Sequence, residues 1–325
     1  MKDVAVAARV SLKTVSRVVN GEPGVTPLTE QRVRDAIQTL GFRRNDSARL
    51  LRTGQAATVG LVLEDIGDPF YSALSRGVES VARARGSLLL SGSSDADPGT
   101  EHMLALTLCA RRVDGLIIVP TNSDHGFLAP EMKAGVPVVF ADRPAGQIDA
   151  DTVLSDNTGG ASMGTAHLIA GGHRRIGYIG DNPGIFTARE RYQGYRSAMS
   201  AADLPVADSW VAMGAPTAAS VQEALERMLA DPEPVTAIFC GNNRISVLAL
   251  HVLAALRRTV AMVGFDDFEL ADLLGVTVIA QDTAELGRQA AELLFQRLDG
   301  DKSPTHRIVI PTRMLGRGSG ELRPA

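Results

Sequence analysis

The residues whose chemistry is plainest lie near the N-terminus, in Val10-Ser11-Leu12-Lys13-Thr14-Val15-Ser16-Arg17-Val18-Val19-Asn20-Gly21. Ser11 can cap a helix and Asn20-Gly21 can stop one, so the spacing predicts a helix from Leu12 to about Val19. Val15, Val18 and Val19 then turn inward. Lys13 and Arg17 share a face one turn apart, and so do Leu12 and Ser16. That side offers a cation, a long apolar chain, a hydroxyl and a guanidinium. A guanidinium can bond guanine O6 and N7 together in a major groove, while phosphate contacts fix the register. The competing reading is a small three-helix domain with a polar outer face.

Two further helices would position this one. Val4, Ala5 and Ala8 give the first an apolar side. Thr26 can cap the third, with Pro27 at its first position and Val33, Ala36, Ile37 and Leu40 as its buried stripe, before Gly41 ends it. Up to Gly54 there are ten basic and five acidic residues, net +5, which leaves −9 for the rest of a chain whose total is −4. A basic head on an acidic body suits a polyanionic partner for the head alone.

From Thr58 onward the pattern changes to apolar strands alternating with helices. Strands are predicted at Thr58–Leu63, Ser87–Leu90, Gly115–Val119, Val136–Phe140, Thr152–Leu154, Arg175–Ile179, Val235–Phe239, Val260–Val263 and Val276–Ile279. Helices are predicted at Tyr71–Arg85, Gly160–Ala170, Arg189–Ala202 and Ser220–Leu229. This rhythm implies parallel sheets covered on both faces. The strands are too many for one lobe, so two Rossmann-like lobes are expected, with a small-molecule cleft outside the strands' carboxyl ends.

These motifs, taken together, resemble the lactose-repressor (LacI/GalR) family. The head carries T-V-S-R-V-x-N as Thr14 to Asn20, after Asp3-Val4-Ala5. The body carries Asp65-Ile66-Gly67-Asp68-Pro69-Phe70-Tyr71, Arg112-Val113-Asp114-Gly115-Leu116-Ile117, Gly172 to Gly180 and Val263-Gly264-Phe265-Asp266-Asp267, with Ile310-Pro311-Thr312 to Arg317 in the tail. The resemblance spans nearly the whole chain and implies a periplasmic-binding-protein type of core. It implies that Leu12, Lys13 and Arg17 read bases, and that Ser11, Thr14, Ser16 and Asn20 hold phosphates. It also implies a hinge helix from Asn45 to Gly54, followed by a linker to residue 57, with Leu51 as a minor-groove wedge and Arg52 beside it. Two departures stand out. Arg9 replaces a usual glycine in a left-handed turn, at roughly 1 kcal/mol, and Arg44 replaces the usual proline before Asn45.

The resemblance and the strand-end positions together select Arg191, in Thr187-x-x-x-Arg191-x-x-Gly194, and Asp266 as the leading effector contacts. Phe70, Asp142, Arg143, Asp156 and Asn242 follow, with a hydrophobic plug (Phe70) and helix caps or ion pairs (the others) as their competing readings. Where the family commonly has Asn-Asp, this chain has Asn242-Asn243. Sugars suit such a site, because carboxylates, amides and arginines bond hydroxyls and aromatics cover ring faces.

Expected boundaries are a helix-turn-helix head at 1–44, the hinge at 45–57 and the core at 58–325. The first lobe would take about 58–156 and 282–309, the second about 157–281 and 310–325. The expected partners are a near-palindromic operator in double-stranded DNA, a sugar-like effector and a second copy of the chain.

Other chemistries find little support. Gly160-Ala161-Ser162-Met163-Gly164 matches a nucleophile-elbow pattern, without a histidine or acid at supporting spacing. Six histidines show no metal-ligand spacing, and Gly177-x-x-Gly180 lacks the dinucleotide fingerprint. No cofactor, metal or catalysis is expected. Cys109 and Cys240 read as free thiols, no run suits a membrane span, and Met1-Lys2-Asp3-Val4 opens without a signal-peptide core. These place the chain in the cytoplasm. A solute-binding protein without a transcriptional role is the alternative, and it leaves the basic head unexplained.

Overall fold

Helix α1 (Lys2–Ala8) stops at Arg9, whose φ of 53° is the left-handed turn that the missing glycine implied. The guanidinium of Arg32 offsets the strain by donating to the carbonyls of Ala8 and Arg9. α2 (Leu12–Asn20) is capped by the Ser11 hydroxyl, which accepts the Thr14 N–H at 3.1 Å, and it closes at Gly21 with φ 67°. α3 (Pro27–Thr39) starts from Thr26 with proline in its first turn. Val4, Val15 and Val33, with Ala5, Ala8 and Ala36, form the core of this head. Leu40, expected in that core, is 48% exposed. It caps the helix one residue past its last turn, just before Gly41 swings the chain left-handed at φ 56°.

This computed structural model describes residues 1–42, 56–121 and 124–324. The chain divides into two compact units, Met1–Ala56 and Ala57–Ala325. The hinge positions Arg44, Leu51 and Arg52 lie outside the described residues.

The second unit holds two six-stranded sheets among the described residues. The first contains β1 (Thr58–Leu63), β2 (Leu88–Ser93), β3 (Gly115–Ile118), β4 (Val138–Ala141), β5 (Asp151–Ser155) and β11 (Arg307–Ile310), in the order β11-β5-β4-β3-β1-β2. Every pairing in it is parallel. The second contains β6 (Ile176–Gly180), β7 (Val211–Met213), β8 (Ala237–Cys240), β9 (Ala261–Phe265), β10 (Thr277–Ala280) and β12 (Arg313–Leu315), in the order β12-β10-β9-β8-β6-β7. Here only the β10–β12 pair is antiparallel. Strands buried on both faces need helices on both sides. The first sheet receives α4 (Pro69–Ala84), α5 (Pro98–Ala110), α6 (Ala129–Lys133) and α11 (Thr283–Leu298). The second receives α7 (Asn157–Ala170), α8 (Phe186–Ala201), α9 (Ala218–Ala230) and α10 (Asn243–Ala255).

Each lobe has one intimate helix pair. A Cβ on Gly77 of α4 would fall 2.1 Å from the Ala284 carbonyl of α11, and one on Gly287 would fall 2.1 Å from that of Leu74. In the other lobe a Cβ on Gly194 of α8 would meet the Thr158 carbonyl of α7 at 2.2 Å. The chain crosses between lobes three times, after β5, after β10 and after β11. The crossings are stitched together where the Asp156 N–H donates to the Ile310 carbonyl at 2.9 Å.

The nucleophile-elbow pattern has a packing explanation. A Cβ on Gly160 would lie 2.6 Å from Thr312 Oγ1, and one on Gly164 would lie 2.7 Å from Phe239. His173 is buried between Thr236 Oγ1 and the Leu322 carbonyl, each at 2.9 Å. Cys109 and Cys240 are both free thiols. Among the described residues, no helix is long and apolar enough to cross a membrane.

Candidate functional site

In the head, the cap that starts α2 also turns its first face outward. Ser11 and Lys13 are exposed, Leu12 is 48% exposed, and Thr14, Ser16 and Arg17 are half-buried. Ser11 Oγ and Thr14 Oγ1 stand 2.9 Å apart. Asn20 is the last residue of the helix, and its side chain lies outside the described set. The arrangement presents two hydroxyls at a helix N-terminus, where the backbone dipole favours anions. Beside them stand a cation, an apolar chain and a guanidinium.

The body's cleft lies at the carboxyl ends of both sheets. Two aspartates dominate it, each the first residue after a strand. Asp142 follows β4 with φ 67° and Asp266 follows β9 with φ 70°. Each donates its N–H at 2.9 Å to a carbonyl on the neighbouring strand, Val153 for Asp142 and Ile279 for Asp266. Non-glycine residues seldom occupy this backbone region. Its use at matching places in both lobes turns two carboxylates into one chamber.

Arg191 comes from the first turns of α8. Its Nε donates to Asn157 Oδ1 at 2.7 Å, and one terminal nitrogen donates to the Gly241 carbonyl at 2.8 Å and Asp266 Oδ2 at 3.1 Å. The guanidinium lies 3.9 Å from the centroid of the Phe265 ring. A charge buried this deeply survives only with such partners. Gln281 donates to the other Asp266 oxygen.

Arg143 holds the opposite wall. It donates to the Pro120 carbonyl at 2.8 Å, to Glu64 Oε2 at 2.8 Å and to the Tyr71 hydroxyl at 3.0 Å. Tyr71 itself donates to Glu64 Oε2 at 3.0 Å. From the other lobe Arg244 donates to Glu64 Oε1 at 3.1 Å, and Asn243 reaches Asp68 Oδ1 at 3.4 Å. These two bonds clasp the lobes together. Burial alone would raise the Glu64 carboxyl, but Arg143, Tyr71 and Arg244 reverse this and hold it below its ordinary value. Asp142 goes the other way. Its burial pushes it up to about 6, against the pull of Arg143 and Arg191. Asp142 Oδ1 and Arg143 Nε are buried without a hydrogen-bond partner. Burial likewise raises Asp68.

The inner chamber is narrow, with a cavity volume of about 50 Å³. An outer recess of about 450 Å³ shares its walls at Glu64, Arg143 and Ile185, and adds Phe186 and Arg189. Of the seven residues selected from the sequence, Phe70, Asp142, Arg143, Arg191, Asn242 and Asp266 line the inner chamber. Asn242 also caps α10, accepting the Ile245 N–H at 2.9 Å and donating to Asp181 Oδ2 at 2.9 Å. Asp156 is not among the lining residues. It caps α7 by accepting the Gly159 N–H at 2.8 Å.

Sequence reading passed over Glu64, Asp68, Tyr71, Asp181, Asn243 and Arg244, all of which line the chamber. Glu64 and Asp181 directly follow β1 and β6, so the strand-end rule reaches them once the strand limits are known. Arg244 carries no such signal, because its partner Glu64 is 180 residues away. No group of three or more His, Cys, Asp or Glu suited to a metal ion occurs among the described residues.

Comparison with known proteins agrees with both halves. Residues 1–45 match the model of bacterial regulatory proteins of the lacI family. Residues 56–318 match the model of periplasmic binding proteins and the sugar-binding domain of the LacI family. The HTH-type transcriptional regulator CelR of Thermobifida fusca is 35% identical, over 98% of this chain and 97% of its own. Catabolite control protein A of Priestia megaterium is 31% identical over 98% of both chains. Among solved structures, a CelR–cellobiose complex matches with a TM-score of 0.73 at 33% identity, over 98% of this chain and 99% of its own. A lac repressor dimer bound to operator has the same fold, with a TM-score of 0.86 at 23% identity over 98% of both chains. With both segments matched in order along one polypeptide, the chain belongs to the LacI family of bacterial regulatory proteins.

Proposed function

We propose that the chain is a transcriptional repressor that binds a near-palindromic operator as a homodimer and answers to a sugar held between its two lobes. The observation that carries this is the buried Arg191–Asp266 pair at the strand ends, in the same polypeptide as the outward face of α2. The relatives agree in kind, since one is named a transcriptional regulator and a solved complex of a CelR regulator holds cellobiose.

Leu12, Lys13 and Arg17 read base edges, and Ser11, Thr14, Ser16 and Asn20 hold phosphates. Two heads on one dimer reach successive major-groove faces. Leu51 wedges into the minor groove at the operator centre, with Arg52 beside it. In the cleft, Arg191 and Asp266 bond adjacent hydroxyls, Asp142, Arg143 and Asn242 bond others, and Phe70 covers an apolar ring face. Asp156 caps α7 beside the first lobe crossing and positions the chain there. The sugar changes the closure of the lobes, and the spacing of the paired hinges follows. The protein works in the cytoplasm and performs no catalysis.

A gel-shift assay against candidate operators, with and without a sugar panel, tests the reading. Operator binding should require residues 1–54 and should change with one sugar. Arg191→Ala should keep operator affinity and lose the sugar response, with about 1.5–3 kcal/mol of sugar affinity lost for each hydrogen bond from the guanidinium to a hydroxyl. Full sugar affinity in that variant, measured by calorimetry, would remove Arg191 from the site.

A further inference from the structure

We propose that Glu64 sets the charge class of the effector, barring phosphorylated and carboxylated sugars so that the cleft takes neutral polyols. This rests on the reading of the cleft as the effector site, and it names the residue that selects within it.

A phosphate or carboxylate is recognised by guanidiniums free to offer paired donors. The inner chamber has three arginines, and each already faces a carboxylate. Arg143 and Arg244 both meet Glu64, at 2.8 and 3.1 Å, and Arg191 meets Asp266 at 3.1 Å. Five carboxylates line the chamber against these three cations: Glu64, Asp68, Asp142, Asp181 and Asp266. An arriving anion would therefore meet a surplus of negative charge and no uncommitted inner cation. Hydroxyls meet the opposite situation. They can donate to Asp142 Oδ1, which is buried and unpartnered, and accept from neighbouring amides. Arg189, in the outer recess, is exposed and bonds the carbonyls of Pro183 and Gly184, away from the inner walls.

Glu64 is the lever because its two oxygens occupy two guanidiniums at once. Glu64→Gln removes one negative charge and releases the ionic hold on both. Among the described residues, Arg244 has no other carboxylate within 4 Å, and Arg143 keeps only Asp142, at 3.4 Å.

Calorimetric titration of the full chain with glucose and glucose 6-phosphate, in wild type, E64Q and E64Q/R244Q, tests this. The head is the same in all three, so any anion it binds is a common background. Glucose 6-phosphate should bind E64Q roughly tenfold or more tightly than wild type, and adding R244Q should remove most of that gain. A folded E64Q with no gain overturns the proposal. So does a wild-type protein that binds any phosphorylated or carboxylated sugar as tightly as its neutral parent, a comparison that needs no variant to fold. The two possible failures are distinct. The effector reading fails if operator affinity ignores every sugar, and the Glu64 proposal fails if wild type accepts the anion.

Discussion

Asp142 shows how one side chain carries both a cost and a use. Its carboxyl is buried, lacks a partner for Oδ1 and titrates near pH 6 instead of in the ordinary carboxylate range. A raised acid favours the folded state while it is protonated. That contribution is fully present below the unfolded value and is lost as pH rises through about 6. From pH 5 to pH 8 this group should therefore remove about 1–2 kcal/mol of stability. Asp142→Asn lacks the titration, so its stability relative to wild type should improve by that amount between the two pH values. Denaturant melts at both values would show it, and a pH-independent difference would mean that Asp142 stays ionised in the fold. The position was legible in the sequence as a polar residue after a strand. Its left-handed backbone and its environment were not, because they depend on β5 and on the second lobe. Arg9 is the reverse case. Its left-handed turn could be inferred from residue type alone, and the capping guanidinium of Arg32 could not.

At the scale of elements, the alternation of strand and helix was plain wherever a strand is buried on both faces, as in β1, β3 and β9. It failed for β7, β11 and β12, which are three or four residues long and partly exposed at sheet edges. Such strands have neither an apolar run nor a clean alternation, and their partners are remote. Arg307 pairs with Thr152, for example. The helix pairs were hidden for a related reason. Gly77 and Gly287 look like weak points in two helices until α4 and α11 are brought together. Their backbones then approach so closely that a methyl group has no room. Gly287→Ala should cost about 1–3 kcal/mol through overpacking, although alanine is the better helix former in isolation. A shift of the urea midpoint to lower concentration would confirm it, and a gain in stability would mean that the helices can part without penalty.

For the whole molecule, the charge division is the feature most directly read from sequence, and it governs how the protein meets DNA. A head of net +5 is joined to a body of net −9, so the head alone attracts a polyanion. Operator affinity should fall by about a thousandfold or more between 50 and 200 mM salt, as release of counterions from several phosphates requires. A fluorescence-anisotropy titration across that range would check it, and a nearly flat response would exclude the head as the main contact. The three crossings between lobes carry a different consequence, one that concerns the ribosome. The first sheet lacks its edge strand β11 until all of the second sheet except β12 has been translated. At about 5–20 residues per second, that wait is on the order of ten seconds. The nascent first half must stand with an open flank while its sibling grows, so neither half can be cut out as one continuous stretch of gene.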